Sequence, residues 1–434
     1  MSLLSQVTFF SVVLFIVVRG FYFIRAGRPG PVLVSLVAVI VYVVCLWIPA
    51  RLQAYGIIES KLENARFLVR PTLEEISSLS WRWALELVII FCAEWVAWSL
   101  RRRRRGLDWH QEIDLRPSPI LICNRETLAV VLLLVGVAAT ILFPAPDLED
   151  RAVEGQGLGT ILRTFLIVGI AYVVYNRGFG KFRWWAVAAF GIGVLASTNV
   201  RSPLLVIVFA FIAAEISGNR LRSFKRVAIT ISLVVVFAIS GSYMSNWREN
   251  VTRHQGETAS QVLTTTLDAP WVQIYESGVD TLDGYRFSQH VAPLEESRPE
   301  DLLNVVLTFV PRALWDDKPV TISVDLSAKY LNYGASGQYL SPIGYLTIAL
   351  GSYTGALLGI FVFVLSMALL VRRYLQSFIL TIVLCVTFRF MLGGSSFDLY
   401  YGLTLLLPYC LTVVAVAACE PRSVIRSSNR SVSL

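Results

Sequence analysis

Long stretches in which nearly every position is apolar alternate with short polar stretches along this chain. The apolar runs cover about 4–24, 31–49, 82–100, 126–144, 158–175, 183–198, 203–217, 227–243, 343–371, 376–392 and 402–419. A bilayer core of about 30 Å is crossed by roughly 20 apolar residues in a helix, so each run is a candidate span. Barrel strands would be about half as long and would alternate polar with apolar, which these runs do not. The pattern predicts an all-α fold, a polytopic membrane helix bundle of about 11 transmembrane helices with one long external loop. Three regions follow: 1–243 with the first eight spans, 244–342 as the long loop, and 343–434 with the last three spans and a tail.

Within the long loop, PEDLLNVVLTFVP (299–311) places Leu302, Val305, Val306 and Phe309 at i, i+3, i+4 and i+7. This spacing predicts an amphipathic helix over 299–311, started by Pro299, Glu300 and Asp301 and stopped by Pro311. In the shorter loop 50–81, LENARFL and TLEEISSL read as short helices lying along the membrane surface. The first run has neither a basic leader nor a small-residue cleavage pattern and is expected to be a retained helix. No internal repeat is visible, which weighs against inverted-repeat transporters.

Composition agrees: 55% of the 434 residues are hydrophobic and the mean hydropathy is +0.63. The net charge of +8 matters less than its placement. Basic clusters follow the first, third, fifth, seventh, ninth and eleventh runs, the densest being Arg101 to Arg105, so all of them fall on one side. The positive-inside rule makes that side cytoplasmic, with the N-terminus outside and the C-terminus inside, and accounts for the charge without a nucleic-acid partner. The six cysteines lie in or near apolar runs and imply no disulfide framework. His110, His254 and His290 are too scattered for a zinc motif, and no phosphate-binding glycine loop is present. No metal or organic cofactor is expected.

An ionisable residue at mid-span costs about 2.5 to 3.5 kcal/mol to insert, so those near spans need a reason. Arg163 (LGTILRTF), Arg201 (STNVRSPLL) and Arg389 (TFRFMLGG) map to external ends of spans. If those spans pack together, three guanidiniums converge at the outer surface as an anion site; otherwise each snorkels to headgroups. Arg201 is the sharpest of the three, since Ser197, Thr198, Asn199, Ser202 and Pro203 surround it with turn-forming residues. Glu86 and Glu94 share one broad side of the third span and read as paired structural charges or as part of a polar path. In the long loop, Arg312, Trp315, Asp316, Asp317 and Lys318 lie within seven residues. Carboxylates there can serve as a general base, cations can hold phosphate and the indole can stack on a sugar. His290 is a further candidate base.

An arginine in a short external turn (NVRSP), a long external loop before the last spans, and PRALWDDKP near the end of that loop resemble the bacterial O-antigen polymerase family, the Wzy-type oligosaccharide repeat-unit polymerases. The resemblance covers roughly residues 160–400, and Val200 stands where a small residue would sit more easily in the turn. It implies a metal-independent glycosyltransferase of the bacterial inner membrane that assembles surface polysaccharide such as lipopolysaccharide O-antigen, capsule or exopolysaccharide. The substrates would be polyprenyl-diphosphate-linked oligosaccharides, with a chain-length regulator as a protein partner. Arg201 would neutralise the departing diphosphate, helped by Arg312 and Arg389; Asp316, Asp317 or His290 would take the acceptor proton; Arg163, Lys318 and Trp315 would bind substrate. An O-antigen ligase shares this layout and would instead transfer finished glycan. A polyprenyl-phosphate-sugar transferase would place its acid at Glu74 or Glu75. A lipid-linked glycan transporter would move the substrate without bond formation.

Overall fold

The computed structural model describes residues 2–59, 70–105, 124–143, 157–183, 185–186, 202–252, 258–268, 270–303, 320–331 and 340–419. Among these residues the fold is all-helical, with no strand. The helices used below are α1 (Ser2–Arg25), α2 (Gly30–Tyr55), α3 (Leu73–Arg105), α4 (Arg125–Leu142), α5 (Gly157–Tyr175), α6 (Ser202–Ser217) and α7 (Phe224–Thr252). They continue with α8 (Ala259–Asp268), α9 (Pro270–Val291), α10 (Ile322–Leu331), α11 (Pro342–Leu350), α12 (Tyr353–Tyr374), α13 (Ile379–Gly393) and α14 (Ser396–Cys419). Seven helices among the described residues are long and apolar enough to cross a membrane, and α5, α6 and α13 add three shorter apolar ones.

Four expectations change. The run 343–371 is two helices, of which only α12 is long enough to span: Gly351 takes the left-handed conformation (φ 71°) and ends α11, and Ser352 caps α12 by accepting from the Gly355 N–H. The break falls at GSYTG, residues 351–355, where a glycine that tolerates the left-handed conformation is followed by a capping serine. The long loop 244–342 is largely helical where described, since α7 continues to Thr252 and α8, α9 and α10 follow. TLEEISSL is the first part of α3, opened by the Thr72 hydroxyl accepting from the Glu75 N–H, and not a separate surface helix. The described start of the helix expected at 299–311 is a 3-10 turn, Pro299–Leu303. Its Asp301 side chain is committed elsewhere, to Ile322 and Tyr345. Run 183–198 lies mostly outside the described residues.

Two packed groups make up the bundle. In one, α3 lies against α1, α2 and α12; in the other, α5 packs on α4, α6 and α14, and α13 packs on α6 and α14. Contacts of α13 with α2 and α12 join the groups. Close approach is set by glycine: a Cβ on Gly136 of α4 would lie 2.2 Å from the Leu166 nitrogen of α5. α13 is buried along nearly its whole length, as befits a helix surrounded by others. Helix starts are specified locally at Asn124, Ser341 and Ser352. For α2 the cap comes from another helix. Both carboxylate oxygens of buried Glu94 on α3 accept from the Val34 and Ser35 N–H groups at 3.0 Å, and the Ser35 hydroxyl adds a third bond.

Helix directions follow from paired residues. Ser5 meets Ser77 and Arg19 stacks on Trp95, so α1 and α3 run in parallel. Glu94 meets Val34 while Glu86 meets Tyr42, so α2 runs opposite to α3. One end of the bundle thus gathers the first half of α3, the start of α12 and, through α9 and α11, the turn between α13 and α14.

Candidate functional site

Two polar clusters sit at that end. The first is built on the tight turn from α13 to α14. Asp398 is buried and divides its two oxygens between tasks: Oδ1 accepts from Nε and Nη2 of Arg389 at 3.2 and 3.1 Å, and Oδ2 accepts from the Ser395 hydroxyl at 2.9 Å and its N–H at 3.3 Å. The Tyr401 ring covers one face of the guanidinium, with Cζ 4.2 Å from the ring centre. Gly394, at φ 63°, ends α13, and a Cβ there would lie 1.9 Å from the Ser341 carbonyl carbon. Ser341 itself holds φ 61° and ψ 155°, a conformation rare for a residue with a Cβ. It is kept there by the Leu340 N–H donating to the Gly393 carbonyl and by the Gly344 N–H donating to its own hydroxyl.

Asp301 extends this cluster. It is 4% exposed, accepts from the Ile322 N–H at 3.0 Å and from the Tyr345 hydroxyl at 2.7 Å, and so ties its 3-10 turn to α10 and α11. Ser396 lies beside the same hydroxyl. Burial, together with the neighbouring Asp301 charge, pushes the Tyr345 phenol well above its ordinary value, so this hydroxyl stays a donor.

The second cluster surrounds Glu86, fully buried on α3. Its carboxylate accepts from the hydroxyls of Tyr42 (2.6 Å), Tyr285 (2.8 Å) and Tyr353 (3.3 Å), drawn from α2, α9 and α12. Nearby, Arg82 bonds Gln289, Arg286 pairs with Glu75 at 2.9 Å, and Gln53 donates to buried Asp283 at 3.0 Å. Residues 281–288 of α9 are all buried, so this helix is wedged among the others. Ser288 on it approaches Gly344 on α11 closely enough that a Cβ at Gly344 would meet its Oγ at 1.9 Å, which brings the two clusters side by side.

Of the residues proposed from sequence, Arg389 lies in the first cluster. Arg163 is on α5, next to Thr164, whose hydroxyl donates to the Thr404 carbonyl of α14 at 3.0 Å. Thr404 is one turn along α14 from Tyr401, so Arg163 and Arg389 belong to helices meeting the same stretch of α14. Arg201 lies outside the described residues, directly before Ser202, where α6 begins; α6 packs on both α5 and α13. Arg312, Trp315, Asp316, Asp317 and Lys318 also lie outside them, although the described residues flanking that stretch, Asp301 and Ile322, are hydrogen bonded to each other. His290 is exposed near the end of α9, its Nδ1 3.1 Å from the Arg286 carbonyl. A carbonyl oxygen can only accept, so in this contact Nδ1 is the donor. Glu86 and Glu94 are held by neutral donors, phenols for the first and backbone N–H groups with a serine hydroxyl for the second, and not by the paired charges expected for them.

Sequence reading did not single out Asp398, Ser395, Tyr401, Tyr345 or the buried role of Asp301. The one signal is SSFDLYY directly after the glycines that follow Arg389, an acid placed where a new helix starts. No family model, no curated protein and no solved structure matches this chain.

Proposed function

We propose that this chain is a membrane glycosyltransferase that polymerises polyprenyl-diphosphate-linked oligosaccharide repeats at the outer face of a bacterial cytoplasmic membrane. The observation that carries the reading is the meeting of three arginine-bearing elements at one end of the bundle: α5 with Arg163, α13 with Arg389, and α6, which begins immediately after Arg201. Arg101 to Arg105 close α3 at its opposite end, and by the positive-inside rule this makes the arginine-bearing end the outer one. Guanidiniums at that depth suit a lipid diphosphate, which lies at the headgroup level.

In the proposed reaction, a hydroxyl at the nonreducing end of one lipid-linked repeat attacks the anomeric carbon of the growing chain. The bond from that carbon to the diphosphate oxygen breaks, and the lipid diphosphate leaves with the electron pair. The hydroxyl proton passes to a base, for which His290, Asp316 and Asp317 are the candidates. Arginines stabilise the charge that develops on the leaving group.

The test is a strain lacking the gene, with surface glycan and lipid-linked intermediates resolved on gels. Accumulation of a single lipid-linked repeat supports polymerisation. Long unattached chains would assign ligation instead, and an unchanged glycan profile would remove both activities.

A further inference from the structure

We propose that Asp398 is a positioning residue for Arg389, fixing the guanidinium that faces the diphosphate; this rests on the reading of Arg389 given above. The geometry is that of a mount. Nε and Nη2 form the side-on edge of the guanidinium, and both donate to the single oxygen Oδ1 of Asp398. The other oxygen is fastened to the turn by the hydroxyl and the N–H of Ser395. With Tyr401 covering one face, the plane and the rotation of the guanidinium are both set.

The mount is itself rigid. The turn that carries Ser395 follows Gly394, which is pressed against the strained Ser341 backbone, and both Ser395 and Asp398 are buried. Arg389 retains 15% side-chain exposure against 3% for Asp398, so the cation is the partner nearer the surface. An arginine stacked and paired in this way presents a directed fork to an anion, whereas a lysine at the same place would present only a charge. Orientation counts because small misplacement of a charge-stabilising group costs on the order of 100-fold in rate.

The experiment measures polymer formation from lipid-linked repeats by the purified full-length protein in nanodiscs, for wild type, Asp398→Asn, Arg389→Lys, the double variant and Ser395→Ala. A positioning role predicts that Asp398→Asn lowers kcat on the order of 100-fold while KM changes little. Arg389→Lys should lose as much, and the double variant should lose no more than either single one, because both remove the same oriented fork. Ser395→Ala, which keeps the ion pair and loosens only its anchor, should lose roughly tenfold, and it carries the test if Asp398→Asn does not accumulate. Full additivity of the two losses, or kcat within twofold of wild type in Ser395→Ala or in a folded Asp398→Asn, would overturn the positioning role. A wild-type protein that forms no polymer from any lipid-linked repeat would instead overturn the functional reading on which it rests.

Discussion

Glu86 is a buried acid inside the bundle whose hydrogen-bond partners are three phenols contributed by three other helices. Replacing it with glutamine exchanges one accepting oxygen for a donating amide that faces donors. Glu86→Gln is therefore expected to destabilise the protein by about 2 kcal/mol, the cost of leaving a buried hydroxyl without an acceptor. Thermal unfolding of the purified protein in detergent, followed by tryptophan fluorescence, checks this against Tyr353→Phe, which removes only the longest of the three bonds and should cost less. From sequence, Glu86 and Glu94 were alike as acids on one side of one span. Their partners divide them, since Glu86 gathers hydroxyls while Glu94 closes the start of α2. No local pattern carries that difference, because the partners lie 44 to 267 positions away for Glu86 and about 60 for Glu94.

Among the elements, glycines decide which helices can touch and where they stop. A side chain at Gly136 would enter the α5 backbone, and one at Gly394 would enter Ser341 while also requiring a left-handed conformation. Gly136→Leu and Gly394→Ala should each sharply lower the yield of folded protein. Gly178→Ala, with open space around it, should leave the yield unchanged. Size-exclusion profiles of detergent extracts distinguish these outcomes. A second element-level expectation concerns α10, which is fastened to the preceding turns by Glu295: it pairs with Lys329 at 2.6 Å and with Arg298 at 3.0 Å, and accepts from Tyr330, while Arg298 also pairs with Asp325. Burial opposes the Glu295 charge, but the bonds from Lys329 and Tyr330 and the Arg298 cation outweigh it and hold the carboxyl below its ordinary value. A depressed folded pKa means that this fastening is fully present above the ordinary carboxylate value of about 4.3 and is lost as pH falls through the lower folded value. Amide exchange in 322–331, corrected for intrinsic rates, should therefore be slow at pH 6 and accelerate at pH 3. Equal protection at both values would refute the assignment.

At the scale of the whole molecule, the proposed activity depends on bringing Arg163, Arg201 and Arg389 to one surface. Arg201→Ala is expected to abolish long polymer while the protein still reaches the membrane at normal abundance, as judged by glycan gels beside immunoblots of the membrane fraction. Normal long chains in that variant would sink the role given to Arg201. The apolar runs by themselves determined that the chain is helical and suited to a membrane, because run length and hydropathy are properties of consecutive residues. They also marked Arg389 and Arg163 as ionisable groups that needed a reason. Only the tertiary structure decided that the stretch read as a loop carries a buried helix in α9, and that Arg389 is mounted on Asp398 across a turn. The physical reason is the same in each case. A wedged helix and a side-on ion pair are fixed by what approaches from elsewhere in the chain, and hydropathy records only what each residue would do alone.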